Sequence, residues 1–424
     1  MAHYVINGGK PLEGSVVIGG AKNAALPIIT AAILAGEKCR IENLPEIEDV
    51  KILCMILEKM GAKIEHVSDG CIDLDPTCID PDKGVTFDMV SSLRASYYLL
   101  GALLGRYGYA QVAQPGGCSI GQRPMDLHIK GMRALGAEVN MSRGKITAKA
   151  ENLVGADIYL DVVSVGATIN IMLAACRAEG QTIISNAAKE PHVVDVANFL
   201  NMMGASIKGA GTNVIRIKGK KNLHGCTYAI IPDQIEAGTY MIAAAATGGE
   251  VTIRNIIPTH LEAISAKLME SGIRVTEGDD DNEFFITVSG RNAKPRAVNV
   301  RTFPYPGFPT DLQQPMMAFL TTADGNSVVV ENIFEDRFNH VVELERMGAN
   351  ITVIGKTATV SGTERIYGAP IYASDLRAGA ALIIAALMAE GESEVHNIKF
   401  IDRGYERLAE KLTALGADIK RVED

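Results

Sequence analysis

The chain has 424 residues, more than one ordinary domain holds, so two or three domains are expected. Apolar residues make up 47% and charged residues 21%, the balance of a packed soluble protein rather than a disordered one. The 41 basic and 50 acidic residues leave a formal charge of −9, which argues against a nucleic-acid partner, since that would need a concentrated basic face.

Met1-Ala-His-Tyr-Val carries no basic flank ahead of an apolar core, so no secretory signal is expected. An Ala-rich apolar stretch of helical length follows at 24–35. Behind it Val50, Leu53, Ile56, Leu57 and Met60 recur at spacings of three and four, which predicts an amphipathic helix. Gly61 closes that helix, where a left-handed conformation is needed. The same order then returns along the chain. Further Ala-rich helices are predicted at 95–104, 167–178, 237–247, 315–323 and 378–389. A glycine and a short β-branched run ending in asparagine recur at 180–186, 249–255, 325–332 and 391–397. The helix-closing glycines, Gly61, Gly136, Gly204, Gly272, Gly348 and Gly416, are spaced by 75, 68, 68, 76 and 68 residues, a regularity that chance does not supply.

One unit therefore reads βαβαββ and occurs six times. Six units divide into two domains of three, placed at 22–231 and at 1–21 with 232–424. A count of βαβ segments also suits a doubly wound sheet, but the repeat disfavours it. The longest uncharged apolar runs, at 23–36 and 378–389, fall short of the 18 or more residues a spanning helix needs. Seven cysteines lie scattered without zinc spacing, and a core of this size needs no disulfide staple. The chain reads as cytoplasmic, with no membrane, metal or organic cofactor implied.

Candidate chemistry sits at the openings of the buried helices. No GxxxxGK[ST] run is present, so a phosphate-loop ATPase is unsupported. Ile18-Gly19-Gly20-Ala21-Lys22-Asn23 lets backbone N–H groups and a full positive charge approach an anion, although it also fits a helix entry with a solvated lysine. Pro115-Gly116-Gly117-Cys118 sets one cysteine in a glycine-bordered loop near Arg123, which suits a tuned thiol; the alternative is a loop cysteine without a role. Arg377 and Arg403 each follow an aspartate, Asp375 and Asp402, at a helix opening. Either arginine can clamp a carboxylate or phosphate, and either pair also fits a cap with a surface ion pair. Lys22, Arg94, Asp311 and Asp375 all open buried helices, and in such a repeat fold those openings gather. His128 is read as structural, and the other histidines are assigned nothing. Cys54 and Cys176, in apolar helical stretches, are read as core.

The ordered set Gly19-Gly20-Ala21-Lys22-Asn23, Pro115-Gly116-Gly117-Cys118, Arg123-Pro124-Met125-Asp126-Leu127-His128, Ser164-Val165-Gly166-Ala167-Thr168, Pro309-Thr310-Asp311, Asp375-Leu376-Arg377 and Asp402-Arg403-Gly404-Tyr405-Glu406-Arg407 resembles the enolpyruvyl transferases, and among them the UDP-N-acetylglucosamine 1-carboxyvinyltransferase family. The matches run in order over essentially the full length. The resemblance implies an α/β fold, a two-domain inside-out α/β barrel built from six βαβαββ repeats, with substrates in the cleft between domains. It implies transfer of the carboxyvinyl group of phosphoenolpyruvate to UDP-N-acetylglucosamine, the first committed step of peptidoglycan synthesis in a bacterial cytoplasm.

Carried over residue by residue, the resemblance gives Lys22, Arg123 and Arg403 to the phosphoenolpyruvate phosphate and Arg377 to its carboxylate, with Asn23 beside them. Asn23, Arg94, Arg123, Pro124, Met125, Asp126, Leu127, Ser164, Val165, Gly166, Asp311 and Ile333 surround the UDP-sugar. Asp311 is the implied general base, and Cys118 the implied proton donor and the thiol alkylated by fosfomycin. Asp375 joins Lys22 and Arg403 in the implied catalytic group. Some members have Lys two residues before the Ser-Val-Gly run, where this chain has Val162. The rival readings are a sister enzyme acting on shikimate 3-phosphate, a related RNA-end cyclase, which the charge and six units disfavour, and a non-catalytic UDP-sugar-binding regulator.

Overall fold

The computed structural model describes residues 2–83, 94–113, 125–280 and 283–423. Among these residues the chain divides into two compact units, one of 20–113 and 125–231, the other of 2–19 and 232–423. The first contains helices α1 (Lys22–Ala31), α2 (Glu48–Met60), α3 (Tyr98–Tyr107), α4 (Asp126–Ala134), α5 (Val165–Ala175) and α6 (Pro191–Met202). The second contains α7 (Gln234–Ala246), α8 (Glu262–Glu270), α9 (Gln313–Leu320), α10 (Val341–Arg346), α11 (Leu376–Met388) and α12 (Leu408–Ala414).

The Ala-rich predictions correspond to α1, α3, α5, α7, α9 and α11. They are buried on nearly every side and mostly apolar, so they form the centre of each unit's core. In α5 every residue from Ala167 to Ala175 is buried, and in α11 every residue from Arg377 to Leu387. Trimming Leu382 or Ile383 in α11 to alanine is therefore expected to cost about 2–5 kcal/mol. Helix α3 begins later than its sequence suggests, because Arg94–Tyr97 forms a 3-10 turn ahead of it. Thr310–Leu312 does the same ahead of α9. The amphipathic α2 turns Val50, Leu53, Ile56, Leu57 and Met60 inward, as its periodicity predicts.

The six closing glycines all adopt positive φ: 110° at Gly61, 91° at Gly136, 93° at Gly204, 92° at Gly272, 95° at Gly348 and 93° at Gly416. Only glycine takes this conformation without steric cost, which is why the repeat carries that residue.

The strands form six small sheets, five with four strands and one with three among the described residues. The sheet of Asp157–Tyr159, Gln181–Ser185, Ser206–Lys208 and Val214–Lys218 shows the plan. Its first two strands pair in parallel across α5, and the other pairings are antiparallel. No single parallel sheet exists among the described residues, which removes the doubly wound alternative; the sheets remain separate, each giving its inner face to its unit's core. Three sheets draw strands from distant sequence. Thr227–Ala229 runs parallel to Cys39–Glu42, and Glu13–Val17 runs parallel to Glu250–Arg254. His3–Asn7 lies between Glu392–His396 and Asp418–Val422.

The asparagine that ends each β-branched run ties two strand ends together. Asn43, Asn186, Asn255, Asn332 and Asn397 donate through Nδ2 to the carbonyls of Ile230, Leu160, Ile18, Thr302 and Ala373, at 2.7–3.2 Å. Each acceptor lies at or just beyond the end of the neighbouring parallel strand. The chain thus leaves each sheet in a fixed direction just before the next helix, and those turns carry the candidate residues.

Candidate active site

In the unit of residues 20–113 and 125–231, Lys22 is the first residue of α1, and the preceding Ala21 offers no side-chain cap. The open helix terminus favours negative charge, yet the Lys22 ammonium also lies there, 2.6 Å from the buried Asp49 carboxylate in the first turn of α2. Lys22 is thereby held at the helix opening instead of extending into solvent. Gly20 is required by close approach, since a Cβ there would lie 1.7 Å from the Asn43 carbonyl oxygen. Asn23 is half-buried beside Lys22.

Ser164 caps α5 by accepting from the Ala167 N–H at 3.3 Å, so Val165 and Gly166 open the helix. A Cβ at Gly166 would meet Tyr97 Oη at 2.9 Å and His128 Cε1 at 3.2 Å. His128 is buried with its Nδ1 3.0 Å from Asn170 Nδ2, which also donates to the Tyr97 carbonyl. Asn170 Oδ1 accepts from Gly101 N–H at 2.6 Å, fixing the amide's orientation. Nδ1 of His128 is therefore an acceptor and the ring is neutral. Burial pushes its pKa down to about 4, the nearby Asp126 opposing weakly. Met125 is a core residue, Leu127 is half-buried and Asp126 is exposed. Val162 is exposed, two residues before the α5 cap. Arg94 opens the 3-10 turn Arg94–Tyr97. Cys118, Arg123 and Pro124 lie outside the described residues. Burial raises both Cys54 and Cys176 to about 12, as expected for core thiols.

In the unit of residues 2–19 and 232–423, Asp311 sits in the 3-10 turn before α9 with both carboxylate oxygens engaged. Oδ1 accepts from Arg337 Nη2 at 2.9 Å and Oδ2 from Arg377 Nη2 at 3.1 Å. The arginine side chains are only 2% and 5% exposed, whereas Asp311 is 24% exposed, so the carboxylate is the accessible member of the triad. Arg377 also lies over the Tyr405 ring at 5.4 Å. Burial works against the Arg377 charge, but Tyr405 and Asp311 outweigh it and its pKa is raised. Tyr405 Oη is 2.9 Å from Thr239 Oγ1, whose own proton goes to the Ile235 carbonyl.

Asp375 caps α11, accepting from Arg377 N–H at 2.9 Å and Ala378 N–H at 3.1 Å. It thereby sets where Arg377 begins. Arg403 is half-buried ahead of α12, and Asp402 is held two-pronged by Arg421 at 2.9 and 3.1 Å. Near the Gly19 end of this unit, buried Glu236 accepts from Gly19 N–H at 3.0 Å and from Lys411 Nζ at 2.7 Å. Burial pushes its carboxyl up to about 7, with Lys411 opposing.

Two residues of this neighbourhood escape sequence reasoning. Arg337 lies in a polar stretch with no helix-opening signal. Glu331 is 1% exposed, and its carboxylate accepts four hydrogen bonds. One signal did exist for Glu331. The glycine-to-asparagine run spans 325–332, one residue longer than 180–186, 249–255 and 391–397, and the additional residue precedes the asparagine. Ile333 follows on the same loop, its N–H donating to Glu331 Oε1 at 2.8 Å.

Chemically, Asp311 is an oriented carboxylate acceptor beside two guanidinium groups suited to an anion. Among the described residues no group of three histidine, cysteine or acidic residues could hold a metal ion, and no helix is long and apolar enough to cross a membrane.

Comparison with known proteins bears on what such a site acts upon. The family model described as EPSP synthase (3-phosphoshikimate 1-carboxyvinyltransferase) matches residues 6–412. A Clostridium acetobutylicum protein named UDP-N-acetylglucosamine 1-carboxyvinyltransferase 2 is 56% identical over 423 residues, 99% of each chain. A Clostridium botulinum protein named UDP-N-acetylglucosamine 1-carboxyvinyltransferase is 55% identical over the full length of both chains. The Bacillus subtilis protein named UDP-N-acetylglucosamine 1-carboxyvinyltransferase 2 is 55% identical, covering 98% of this chain and 96% of its own. Among solved structures, the enolpyruvyl transferase NikO from Streptomyces tendae superposes with a TM-score of 0.89 at 27% identity, over 99% of both chains. EPSP synthase from Acinetobacter baumannii shares the fold, with a TM-score of 0.77 at 19% identity over both full lengths.

Proposed function

This chain belongs to the EPSP synthase family of enolpyruvyl transferases, and from that membership we propose that it moves the carboxyvinyl group of phosphoenolpyruvate onto the 3-hydroxyl of UDP-N-acetylglucosamine, releasing phosphate. The observation that carries the choice of acceptor is full-length identity of 55–56% to proteins named for that reaction. The likeness to EPSP synthase, at 19% identity, supports the fold and does not favour shikimate 3-phosphate as acceptor. Nothing favours a non-catalytic regulator. The product feeds peptidoglycan synthesis, and the place of action is the cytoplasm.

In this reading Lys22, Arg123 and Arg403 hold the phosphate of phosphoenolpyruvate, and Arg377 holds its carboxylate. Fixed cations at an anionic substrate stabilise it far more than mobile cations in water do. Asn23, Arg94, the residues from Arg123 to Leu127, Ser164, Val165, Gly166 and Ile333 take the UDP-sugar. Asp311 accepts the proton of the 3-hydroxyl as that oxygen attacks carbon 2. Cys118 protonates carbon 3, giving a tetrahedral ketal that then loses phosphate together with a proton from carbon 3, which restores the vinyl double bond. Cys118 is also the thiol that fosfomycin alkylates. Asp375 acts through Arg377, whose helix it caps. The pairing of Asp311 with two buried arginines supports an oriented base and a carboxylate-binding guanidinium side by side.

Phosphate release from phosphoenolpyruvate tests the assignment, with UDP-N-acetylglucosamine and shikimate 3-phosphate offered separately. Release with the UDP-sugar alone is expected. Release with shikimate 3-phosphate alone would overturn the acceptor, and silence with both, in folded protein, would overturn the activity.

A further inference from the structure

Glu331 stands immediately after the strand Asn326–Val330, between it and Asn332, whereas Asn186, Asn255 and Asn397 follow their strands directly. This intervening residue puts a charged side chain in the core, 1% exposed, where a carboxylate is costly unless fully hydrogen-bonded. Its donors come from three segments. Thr302 Oγ1 donates to Oε1 at 2.9 Å, and the N–H groups of Ile333 and Phe334 donate to the same oxygen at 2.8 and 3.2 Å. Thr310 Oγ1 donates to Oε2 at 3.0 Å.

The Thr310 hydroxyl is the informative link. It has one proton, and Glu331 takes it. Its oxygen is then left as an acceptor, and Arg337 Nη1 donates to it at 3.3 Å. The other terminal nitrogen of Arg337 donates to Asp311 Oδ1 at 2.9 Å. A directional chain therefore runs from Glu331 through Thr310 and Arg337 to Asp311. On its other oxygen the same carboxylate fixes the 332–334 loop.

We infer that Glu331 is a positioning residue that sets two things at once: the orientation of the Asp311 carboxylate, through Thr310 and Arg337, and the position of the Ile333 loop, through its backbone N–H groups. This rests on the reading of Asp311 as base and of Ile333 as a UDP-sugar contact. Glu331 need touch neither substrate. Reversing its donor–acceptor sense on the Oε2 side makes Thr310 an acceptor there and removes the bond that orients its hydroxyl toward Glu331.

Two variants separate the arms. Thr310→Val removes only the link to Asp311 and is expected to lower kcat about tenfold to hundredfold with KM for UDP-N-acetylglucosamine unchanged, the scale set by misplacing a reacting group. Glu331→Gln disturbs both arms and is expected to lower kcat similarly and also to raise that KM severalfold. In an Asp311→Ala background neither variant should lower kcat further, whereas Glu331→Gln should still raise KM. A merely structural role predicts equal losses of kcat in both backgrounds, and that result would overturn the inference. So would a wild-type kcat in Thr310→Val, which stays informative if Glu331→Gln does not fold. Near-normal turnover by Asp311→Ala alone would instead overturn the base assignment, while an unchanged KM in Glu331→Gln overturns the present inference however Asp311 behaves.

Discussion

Arg377 reaches across 66 residues of sequence to place its Nη2 3.1 Å from Asp311 Oδ2. The guanidinium is simultaneously ordered from behind by the Tyr405 ring and from its own backbone by the Asp375 cap. Lysine cannot reproduce this, because it has no planar fork and no flat face. Arg377→Lys should therefore lower kcat/KM for phosphoenolpyruvate about tenfold to hundredfold, the loss of about 1.5–3 kcal/mol of charge-assisted hydrogen bonding. Steady-state kinetics with the donor varied provides the check; unchanged kinetics would remove Arg377 from the carboxylate.

Asp311→Ala should lower turnover by about 10²-fold or more while binding of the UDP-sugar is largely retained, as expected for loss of a general base. Calorimetric titration with UDP-N-acetylglucosamine beside single-turnover kinetics separates the two quantities. A comparable loss of both would reassign Asp311 to binding.

Cys118→Asp should abolish sensitivity to fosfomycin yet leave measurable turnover, because a carboxylic acid can still donate a proton but forms no thioether. Time-dependent inactivation of the variant would rule out that thiol as the target.

Gly20 faces the Asn43 carbonyl oxygen so closely that a Cβ would sit 1.7 Å from it, and backbone cannot yield as a flexible side chain can. Gly20→Ala is expected to destabilise the protein by more than about 3 kcal/mol and to displace Lys22, two residues on. Thermal unfolding measures the first effect. A melting temperature within a degree or two of the parent would contradict the packing described.

Two buried groups make stability respond to pH in opposite senses. The pKa of His128 is lowered to about 4 on folding, so the unfolded chain binds the extra proton between that value and about 6.5. Its contribution is present above about pH 6.5 and is lost as pH falls toward 4. Glu236, raised to about 7, retains its proton in the folded state, so its contribution is present below its unfolded value near 4.5 and is lost as pH rises through 7. Replacing His128 by Asn should flatten the acid side of a plot of melting temperature against pH. Replacing Glu236 by Gln should flatten the slope between about pH 5 and 7. Parallel curves for parent and variants would refute these assignments.

Much of the fold was legible because its determinants are local. The Ala-rich helices, the amphipathic helix at 48–60 and all six positive-φ glycines follow from periodicity and backbone sterics, which a short window contains. Strand pairing was not legible in the same way. Nothing in the sequence near Thr227 announces that its partner is Arg40, since that register depends on closure of a core rather than on neighbouring residues. The candidate residues showed the same division. Lys22, Asp311 and Arg377 stood at helix openings, where their positions carried meaning. Arg337 and Glu331 gain theirs from partners brought in from the turn at 310–312 and from strand ends, and neither stands at a helix opening. The partner of Lys22, buried Asp49, stands 27 residues away and carried no such signal.

The strand His3–Asn7 occupies the interior of its sheet, bonded on one side to Glu392–His396 and on the other to Asp418–Val422. During synthesis it is made before residues 20–231, yet both of its partners are made after them. The unit of residues 20–113 and 125–231 can condense meanwhile, since among the described residues its strands pair only with one another. The opening strand must wait, its apolar face and unpaired backbone exposed to any other chain with an edge to offer. Slow folding and loss to aggregation should therefore concentrate in the unit that contains this strand, and shielding it should raise the yield of native protein.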